Sequence, residues 1–232
     1  MLSHDHPVAL YCFRRLEGVP AGVEVRDAAT IIPETKIIRH RSGSPALFAN
    51  WFRYELQRRA AGTWADCDAY MLAPLDGSQP YLMGIESPGL VTNGVLRLPP
   101  DSPLLPPLLS LFEEKEVPWW LPWPSRMAAR LRLMRTGRTG LSQMPWGSAG
   151  PRALSALVKL HGLYHQALPT DILYPVNWRN AVWIIDPTKA LEDMISPRSV
   201  SLHLYNEKIK GFKNDPAPPG SFLARIQAEG AE

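Results

Sequence analysis

The sequence predicts an α/β domain with a mainly parallel sheet flanked by helices, and two observations lead to this prediction. Segments typical of strands alternate along the chain with segments typical of helices, as they do where helices connect parallel strands. The chain has 232 residues, of which 45% are hydrophobic and 20% charged, so it can bury the core of one domain. We therefore expect a single domain over residues 1–232.

The predicted strands are short apolar runs bounded by turn-forming residues. They cover residues 8–13, 23–25, 69–72, 81–85, 94–98 and 200–204. In a mainly parallel sheet, ligands bind at the carboxyl ends of the strands, so functional residues are expected just after such runs.

The predicted helices cover residues 45–60, 101–114, 151–161 and 222–229. Ser44 is the expected cap of the first helix, because a serine hydroxyl can accept a bond from a free backbone N–H. Pro103 and Pro151 are placed as prolines are at the first turn of a helix, and Gly162 is placed to end the third helix.

Composition narrows the classes of protein that the chain can belong to. Its only cysteines are Cys12 and Cys67, so no disulfide framework is indicated and a reducing compartment is expected. The N-terminus lacks a signal-peptide pattern, and no apolar run approaches the ~20 residues of a membrane-spanning helix. A net charge of +3 is too small to indicate nucleic-acid binding by the whole chain. These features predict a cytoplasmic protein without a nucleic-acid partner.

Asp66 and Asp68 form the most informative pair in the chain. In an extended segment, residues i and i+2 point to the same side, so the two carboxylates can converge. They interrupt a segment that is otherwise apolar, where unpaired charge would be costly. A hard divalent cation, Mn²⁺ or Mg²⁺, would remove that cost, and such ions commonly share their ligands with substrate phosphates. The pair therefore indicates chemistry on a nucleotide-linked substrate.

The residues around this pair carry a family resemblance. They resemble the sugar-binding region with a DXD motif of bacterial glycosyltransferases of family thirty-two, and more distantly the clostridial glucosylating toxins. The family pattern is Asp, two apolar residues and Arg on a helix, two glycines, a short strand and Asp-x-Asp. The matching residues are Asn50-Trp51-Phe52-Arg53, Ala61-Gly62 and Asp66-Cys67-Asp68. Weaker likeness continues through Asn93-Gly94-Val95, Trp146-Gly147-Ser148-Ala149-Gly150-Pro151, Tyr174-Pro175-Val176 and His203-Leu204-Tyr205-Asn206.

The resemblance implies a GT-A-like, Rossmann-like fold and a retaining transfer of a sugar from a UDP-sugar donor to a glycan or lipid-linked acceptor. It implies that Asp66 and Asp68 hold the metal, with His203 as the third ligand and Asn206 or Glu207 as alternatives. It names no catalytic nucleophile. The residues that it implies for donor binding are Asn50, Arg53, Asp66, Asp68, Asn93, Ser148 and Gly150.

The sequence departs from the family pattern at three places. Asn50 stands where the family has Asp, which keeps hydrogen-bonding capacity but removes the charge. Ala61 stands where the family has the first glycine. Family members also begin with a strand and loop that help bind the nucleotide base, whereas this sequence begins just before what resembles their second strand. The expectation is a late start-codon assignment, a trimmed protein, or an absent first strand with impaired activity. These departures favour an alternative, a degenerate, non-catalytic relative that binds glycan or membrane.

Several residues keep two interpretations. His203 is either a core histidine bonded to a backbone carbonyl or a metal ligand. Arg53 lies on an apolar helix face and needs a partner, which is either Asp66 or the donor phosphate. Lys208, Lys210 and Lys213 are either a solvated face or a clamp on the diphosphate.

Residues 115–140 form a Pro/Trp/Arg-rich insertion within the predicted domain. It contains Trp119, Trp120 and Trp123, which are followed by Arg126, Arg130, Arg132, Arg135 and Arg138. Tryptophan suits a lipid headgroup layer, and arginine suits anionic lipid, so the insertion predicts peripheral contact with the inner membrane face. The alternatives are a core aromatic cluster beside a solvated basic helix, an acceptor-sugar platform, or a weak anionic-polymer site.

Overall fold

A computed structural model describes residues 6–212 and 215–230, so Lys213 lies outside the described residues. The strands are β1 (Val8–Cys12), β2 (Val23–Asp27), β3 (Trp64–Ala65), β4 (Ala69–Met71), β5 (Leu82–Ser87), β6 (Leu90–Arg97) and β7 (Ser201–His203). The α-helices are α1 (Ala46–Arg58), α2 (Leu105–Ser110), α3 (Trp123–Thr136), α4 (Pro151–Leu160), α5 (Thr170–Leu173), α6 (Leu191–Met194), α7 (Asn206–Ile209) and α8 (Phe222–Glu229).

The predicted mainly parallel, Rossmann-like sheet of GT-A type is wrong. Within the described residues, only β1 and β2 form a parallel pair of strands. The other strands form two small antiparallel sheets, one with the order β3-β6-β5 and one that pairs β4 with β7. The architecture is therefore mixed α/β with three separate small sheets.

The connection between β5 and β6 explains the error. A parallel pair needs a crossover of a dozen or more residues, but only Pro88 and Gly89 separate these two strands. Gly89 has a φ of +79°, which glycine adopts without steric cost, so the chain reverses in a tight hairpin. The central pairing of this region is consequently antiparallel.

The helices agree better with the sequence. The first prediction is confirmed as α1, and the Ser44 hydroxyl accepts a bond from the Ala46 N–H at 3.2 Å, although Pro45 occupies the cap position. The helices predicted over 151–161 and 222–229 are confirmed as α4 and α8. The helix predicted over 101–114 is shorter: α2 begins at Leu105 and continues into a 3-10 turn at 111–113.

Among the residues that the structure describes, four apolar clusters fill the interior. The largest packs α2 and α4 against β5 and β6, with Leu154 and Val158 fully buried. A second gathers the C-terminal segments around Ile184 and Leu202, and a third packs α1 beneath β1 and β2. The fourth lies between β4, β5 and β6 and includes Val95. The ends of β3 and β7 meet the middle of β6 beside α1, where the candidate site lies.

Candidate metal and donor site

Asp66, Asp68 and His203 come together at the end of β3. The Asp66 N–H donates to the Gly94 carbonyl of β6 at 2.7 Å, which fixes the chain as it leaves β3. Strand β4 then begins at Ala69, whose partner in the antiparallel pairing with β7 is His203. One ligand atom from each of the three side chains lies within 4.8 Å of the others. The sequence therefore brings together the three residues predicted as metal ligands.

In each carboxylate, one oxygen accepts hydrogen bonds that fix the side chain, and the other oxygen faces the cluster. Asp66 Oδ1 accepts a bond from the Trp64 indole at 2.8 Å and pairs with Arg53 Nη2 at 3.0 Å. Asp68 Oδ2 accepts a bond from the Asn206 N–H at 2.9 Å. The other oxygens, Asp66 Oδ2 and Asp68 Oδ1, lie 3.8 and 3.4 Å from His203 Nε2.

These separations fit a small divalent cation. Two ligands at right angles, each about 2.1 Å from an ion such as Mg²⁺, are about 3.0 Å apart. The distances from His203 Nε2 to the two carboxylate oxygens, 3.8 and 3.4 Å, are within about 1 Å of that spacing, and carboxylates suit Mg²⁺ and Mn²⁺. The side chains of Asp66, Asp68 and His203 are 26%, 14% and 15% exposed, so the cluster opens to solvent on one side.

The electrostatics keep Asp66 ionised. Burial alone would raise the pKa of its carboxyl group, but the Arg53 guanidinium, together with the nearby His203 ring and a hydrogen bond from Trp64, lowers the pKa below its ordinary value. A carboxylate that stays charged while partly buried is the form that a cation requires.

The ring of His203 is oriented by its neighbour Tyr205. The Tyr205 N–H donates to His203 Nδ1 at 3.2 Å, and the two rings lie 4.5 Å apart. The Tyr205 hydroxyl, which has one proton to donate, lies 3.0 Å from the Val176 carbonyl and 3.2 Å from Glu86 Oε1. The backbone of Tyr205 has a φ of +50°. Because Nδ1 accepts a bond, a neutral ring carries its proton on Nε2, facing the carboxylates. Binding an ion through Nε2 would therefore require this proton to move to Nδ1, which would break the bond from the Tyr205 N–H.

Arg53 is buried and all of its nitrogens bond within the protein. Its Nε donates to the Ala49 carbonyl at 3.3 Å, and Nη1 donates to the Asn93 carbonyl. Nη2 pairs with Asp66, and the guanidinium lies 4.8 Å from the centre of the Trp64 ring. The structure thus gives Arg53 the protein partner that the sequence allowed, while a direct contact with the donor stays a prediction.

A network of amides connects α1 with β6 behind the cluster. The Asn93 amide donates to Asn50 Oδ1 at 2.9 Å and to the Tyr54 hydroxyl at 3.0 Å. Tyr54 in turn donates to the Ala149 carbonyl at 3.0 Å. A methyl group on Gly150 would lie only 2.9 Å from the Asn50 amide, so glycine permits this close approach. Asn50, Asn93 and Gly150 are thus brought together, next to Arg53.

Other predicted residues lie elsewhere or have other partners. The Ser148 hydroxyl is buried and donates back to the Pro145 carbonyl at 2.6 Å. Lys208 lies over the Trp178 ring at 4.5 Å, and Lys210 pairs with Glu207 at 2.6 Å. Asn206 reaches the cluster through its backbone N–H. The structure therefore brings neither lysine into the cluster.

A cavity of about 750 Å³ adjoins the cluster between β1 and β3. It is lined mainly by apolar side chains, and Cys67 is the residue it shares with the Asp-x-Asp segment. Neither Asp66 nor Asp68 lines it. A volume of this size suits a bound small molecule, but the cavity neighbours the cation cluster and does not contain it.

Sequence reasoning missed Trp64, Tyr205 and Tyr54. Trp64 had a signal, because it stands two residues before Asp66 and therefore points to the same side of the strand. The sequence contains no such signal for Tyr54 and Tyr205, because the role of each depends on a partner more than 90 residues away in the chain. These partners are Ala149 for Tyr54 and Glu86 for Tyr205.

Comparisons of the chain with known protein families, with curated proteins and with solved structures find no match. Among the described residues, no helix has both the length and the apolar character needed to cross a membrane. The function of the protein is therefore inferred from the residues of the site.

Proposed function

We propose that the protein is a metal-dependent glycosyltransferase that moves a sugar from a UDP-sugar donor to a glycan or lipid-linked acceptor. One observation carries the proposal: Asp66 Oδ2, Asp68 Oδ1 and His203 Nε2 converge in a cluster that is partly open to solvent. A bound Mn²⁺ or Mg²⁺ would supply Lewis-acid stabilisation of the departing diphosphate. The resemblance between residues 50–68 and family thirty-two supplies the choice of donor.

In this proposal the protein residues have separate tasks. Asp66 and Asp68 offer the oxygens that face the cluster, and His203 offers its imidazole. Arg53 holds Asp66 in position and keeps it ionised, because it pairs with the oxygen that faces away from the cluster. Asn50 and Asn93 hold α1 against β6 and lie where the resemblance places the donor sugar.

The proposal includes a cytoplasmic location with peripheral contact at the inner membrane face. The cytoplasmic part is motivated by two cysteines that form no disulfide within the described residues, which is typical of reducing compartments. A lipid-linked acceptor would account for contact with a membrane surface.

A second candidate function is a non-catalytic glycan- or membrane-binding protein. Two observations favour it: His203 Nδ1 accepts a bond from the Tyr205 N–H, which places a proton on the nitrogen facing the cluster, and Asn50 bonds to Asn93 inside the protein. In this alternative, the Nε2 proton binds both carboxylates and replaces the cation.

Calorimetry with UDP and with UDP-sugars decides between the two. We expect UDP to bind with Mn²⁺ present and to show at least tenfold weaker binding with EDTA. Asp68→Asn keeps an oxygen for the Asn206 N–H but removes the charge, so it should abolish the metal dependence. Asp101→Asn changes an exposed carboxylate outside the cluster and should bind as the wild type does. Equal UDP binding with and without metal would rule out the glycosyltransferase proposal.

A further inference from the structure

Helix α3 carries its apolar side chains on the face that points away from the protein. Trp123, Met127, Leu131 and Met134 follow the spacing of one helix face, and they are 67%, 42%, 46% and 77% exposed. Ala129, on the opposite face, is 1% exposed and packs into the core. We call these four exposed residues the outer stripe. An isolated exposed apolar residue is ordinary, but four along one helix face form a patch typical of a contact surface.

The charged residues of the helix that carries the outer stripe are all basic. Helix α3 contains Arg126, Arg130, Arg132 and Arg135 and no acidic residue. Arg130 and Arg135 are exposed, and helical spacing places them on the two sides of the stripe. Residues 115–140 contain six basic residues and one acidic residue, a net charge of +5; because the chain totals +3, the remainder carries −2. The positive charge of the protein is thus concentrated around this helix.

We propose that α3 lies flat on an anionic lipid surface, with the outer stripe in the boundary between headgroups and acyl chains. Arg130 and Arg135 would then contact lipid phosphates on either side. The helix has 14 residues, or about 21 Å, so it is too short to cross a hydrocarbon core of about 30 Å.

The charge distribution selects lipid over a second copy of the chain. Pairing two outer stripes would bring the arginines of one copy against those of the other, which is unfavourable unless anions intervene. An anionic surface satisfies the apolar residues and the arginines together. The inference deepens the membrane contact that the proposed function includes, and it can be tested apart from the enzymatic part, because no residue of the cation cluster lies in α3.

The structure also shows which of the three predicted tryptophans can contact a lipid surface. Trp120 is partly buried, and its indole donates to the Ser148 carbonyl at 2.9 Å, so it belongs to the protein interior. Trp119 is 51% exposed and lies at the N-terminal side of α3. The membrane-facing residues are therefore those of the outer stripe, whereas Trp120 packs inside the protein.

Vesicle co-sedimentation of the full chain tests the inference, with EDTA present so that metal binding plays no part. We expect binding to vesicles of phosphatidylglycerol and phosphatidylcholine at low salt, and loss of binding at high salt or on phosphatidylcholine alone. Met127→Glu/Leu131→Glu should weaken binding at least tenfold. Arg130→Gln and Arg135→Gln should each weaken it about fivefold, the effect of one charge near an anionic surface.

Leu160→Glu is the matched control, because Leu160 is 63% exposed on α4, outside the outer stripe. It should bind vesicles as the wild type does, and all variants should melt near the wild-type temperature, since only exposed side chains change. Absence of binding to the anionic vesicles at low salt would overturn the inference. A dimer in analytical ultracentrifugation that Met127→Glu/Leu131→Glu dissociates would overturn it as well, because the stripe would then be a contact between copies.

Discussion

Arg53 is a buried cation whose partners all belong to the protein. Its ion pair with Asp66 lies beside the Trp64 ring and beneath the Asn93 carbonyl. A buried pair adds little net stability, but removing one member leaves the other charge uncompensated. The residue is therefore expected to matter for the fold and for the state of Asp66 together.

We expect Arg53→Met to destabilise the protein by about 3 kcal/mol, the lower end of the range for a broken buried pair, because Asp66 remains 26% exposed. Asp66→Asn in the same background should recover part of this loss, since no carboxylate then lacks a partner. Denaturant unfolding of the two single variants and the double variant measures the coupling. Strict additivity would show that Arg53 and Asp66 do not depend on each other.

Cys67 offers a reporter within the Asp-x-Asp segment. The protein around the thiol disfavours its charged form, and the carboxylates of Asp66 and Asp68 repel it further, so the pKa of Cys67 is raised. A cation on the carboxylates would cancel the repulsion and increase the thiolate fraction. We expect Mg²⁺ to speed alkylation of Cys67 by iodoacetamide about threefold to tenfold, which corresponds to a pKa change of about 0.5 to 1.

Cys12 serves as the control for this measurement in the same molecule, because it lies in β1, outside the cluster. Asp68→Asn should raise the rate at Cys67 without Mg²⁺ and remove its response to Mg²⁺. If the ratio of the alkylation rates of Cys67 and Cys12 stays the same when Mg²⁺ is added, no cation binds at this position.

At the residue scale, the sequence identified Asp66 and Asp68 because the signal of this pair is local, whereas His203 was connected with them only through the family resemblance. Their apolar flanks make unpaired charge costly, but the two carboxylates converge across a turn, closed by the bond from the Ala69 N–H to the Asp66 carbonyl at 3.0 Å, and not along the extended segment that the sequence predicted. The sequence did not decide the role of Arg53, because its position on a helix does not determine which hydrogen-bond acceptors face it in the fold. The orientation of His203 could not be inferred, because it depends on the left-handed backbone of Tyr205 and on a bond to Nδ1.

At the element scale, strand β6 sets the spacing of the site. Its Gly94 carbonyl receives the Asp66 N–H, its Asn93 bonds to Asn50, and its Val95 N–H donates to the Tyr174 hydroxyl. The sequence predicted a strand over 94–98, but the observed strand begins at Leu90, and its partners are a hairpin neighbour and a two-residue strand. Helix α4 was easier to predict, because an apolar face bounded by Pro151 and Gly162 is a complete local signal.

Gly94→Ala tests the spacing at β6. An added methyl group would lie 3.1 Å from His203 Cδ2 and 3.2 Å from Asp66 Oδ2, so one of these side chains must shift. We expect metal affinity to fall at least tenfold and stability to fall by about 1–3 kcal/mol, the usual cost of overpacking. Isothermal titration with Mn²⁺ and denaturant unfolding measure the two effects.

Gly77→Ala is the matched control, because a methyl group there meets no atom within 4 Å and the backbone is not left-handed. It should bind Mn²⁺ as the wild type does. Wild-type metal affinity in Gly94→Ala would place the cation site elsewhere.

At the scale of the whole molecule, the candidate ligands come from distant parts of the chain. Asp66 and Asp68 lie between β3 and β4, whereas His203 lies in β7, within the C-terminal packing around Leu202. Pairing of β4 with β7 brings them together, and this long-range pairing is the part of the fold that the sequence did not predict. Local patterns define elements well, but which strands pair depends on packing between elements more than 100 residues apart.

A cation bound across β4 and β7 should therefore stabilise the entire fold, because the unfolded chain does not hold the three ligands together. At a free Mn²⁺ concentration of 100 times the dissociation constant, the stabilisation is about 2.7 kcal/mol. For a chain of this length, that energy raises the melting temperature by about 5–10 °C. Differential scanning calorimetry should show this rise with Mn²⁺ and its reversal by EDTA. Asp68→Asn should melt at the same temperature with and without Mn²⁺, while Asp101→Asn should respond as the wild type does. If millimolar Mn²⁺ and Mg²⁺ both leave the wild-type melting temperature unchanged, no ion binds between the two carboxylates and His203. That result would favour the non-catalytic alternative.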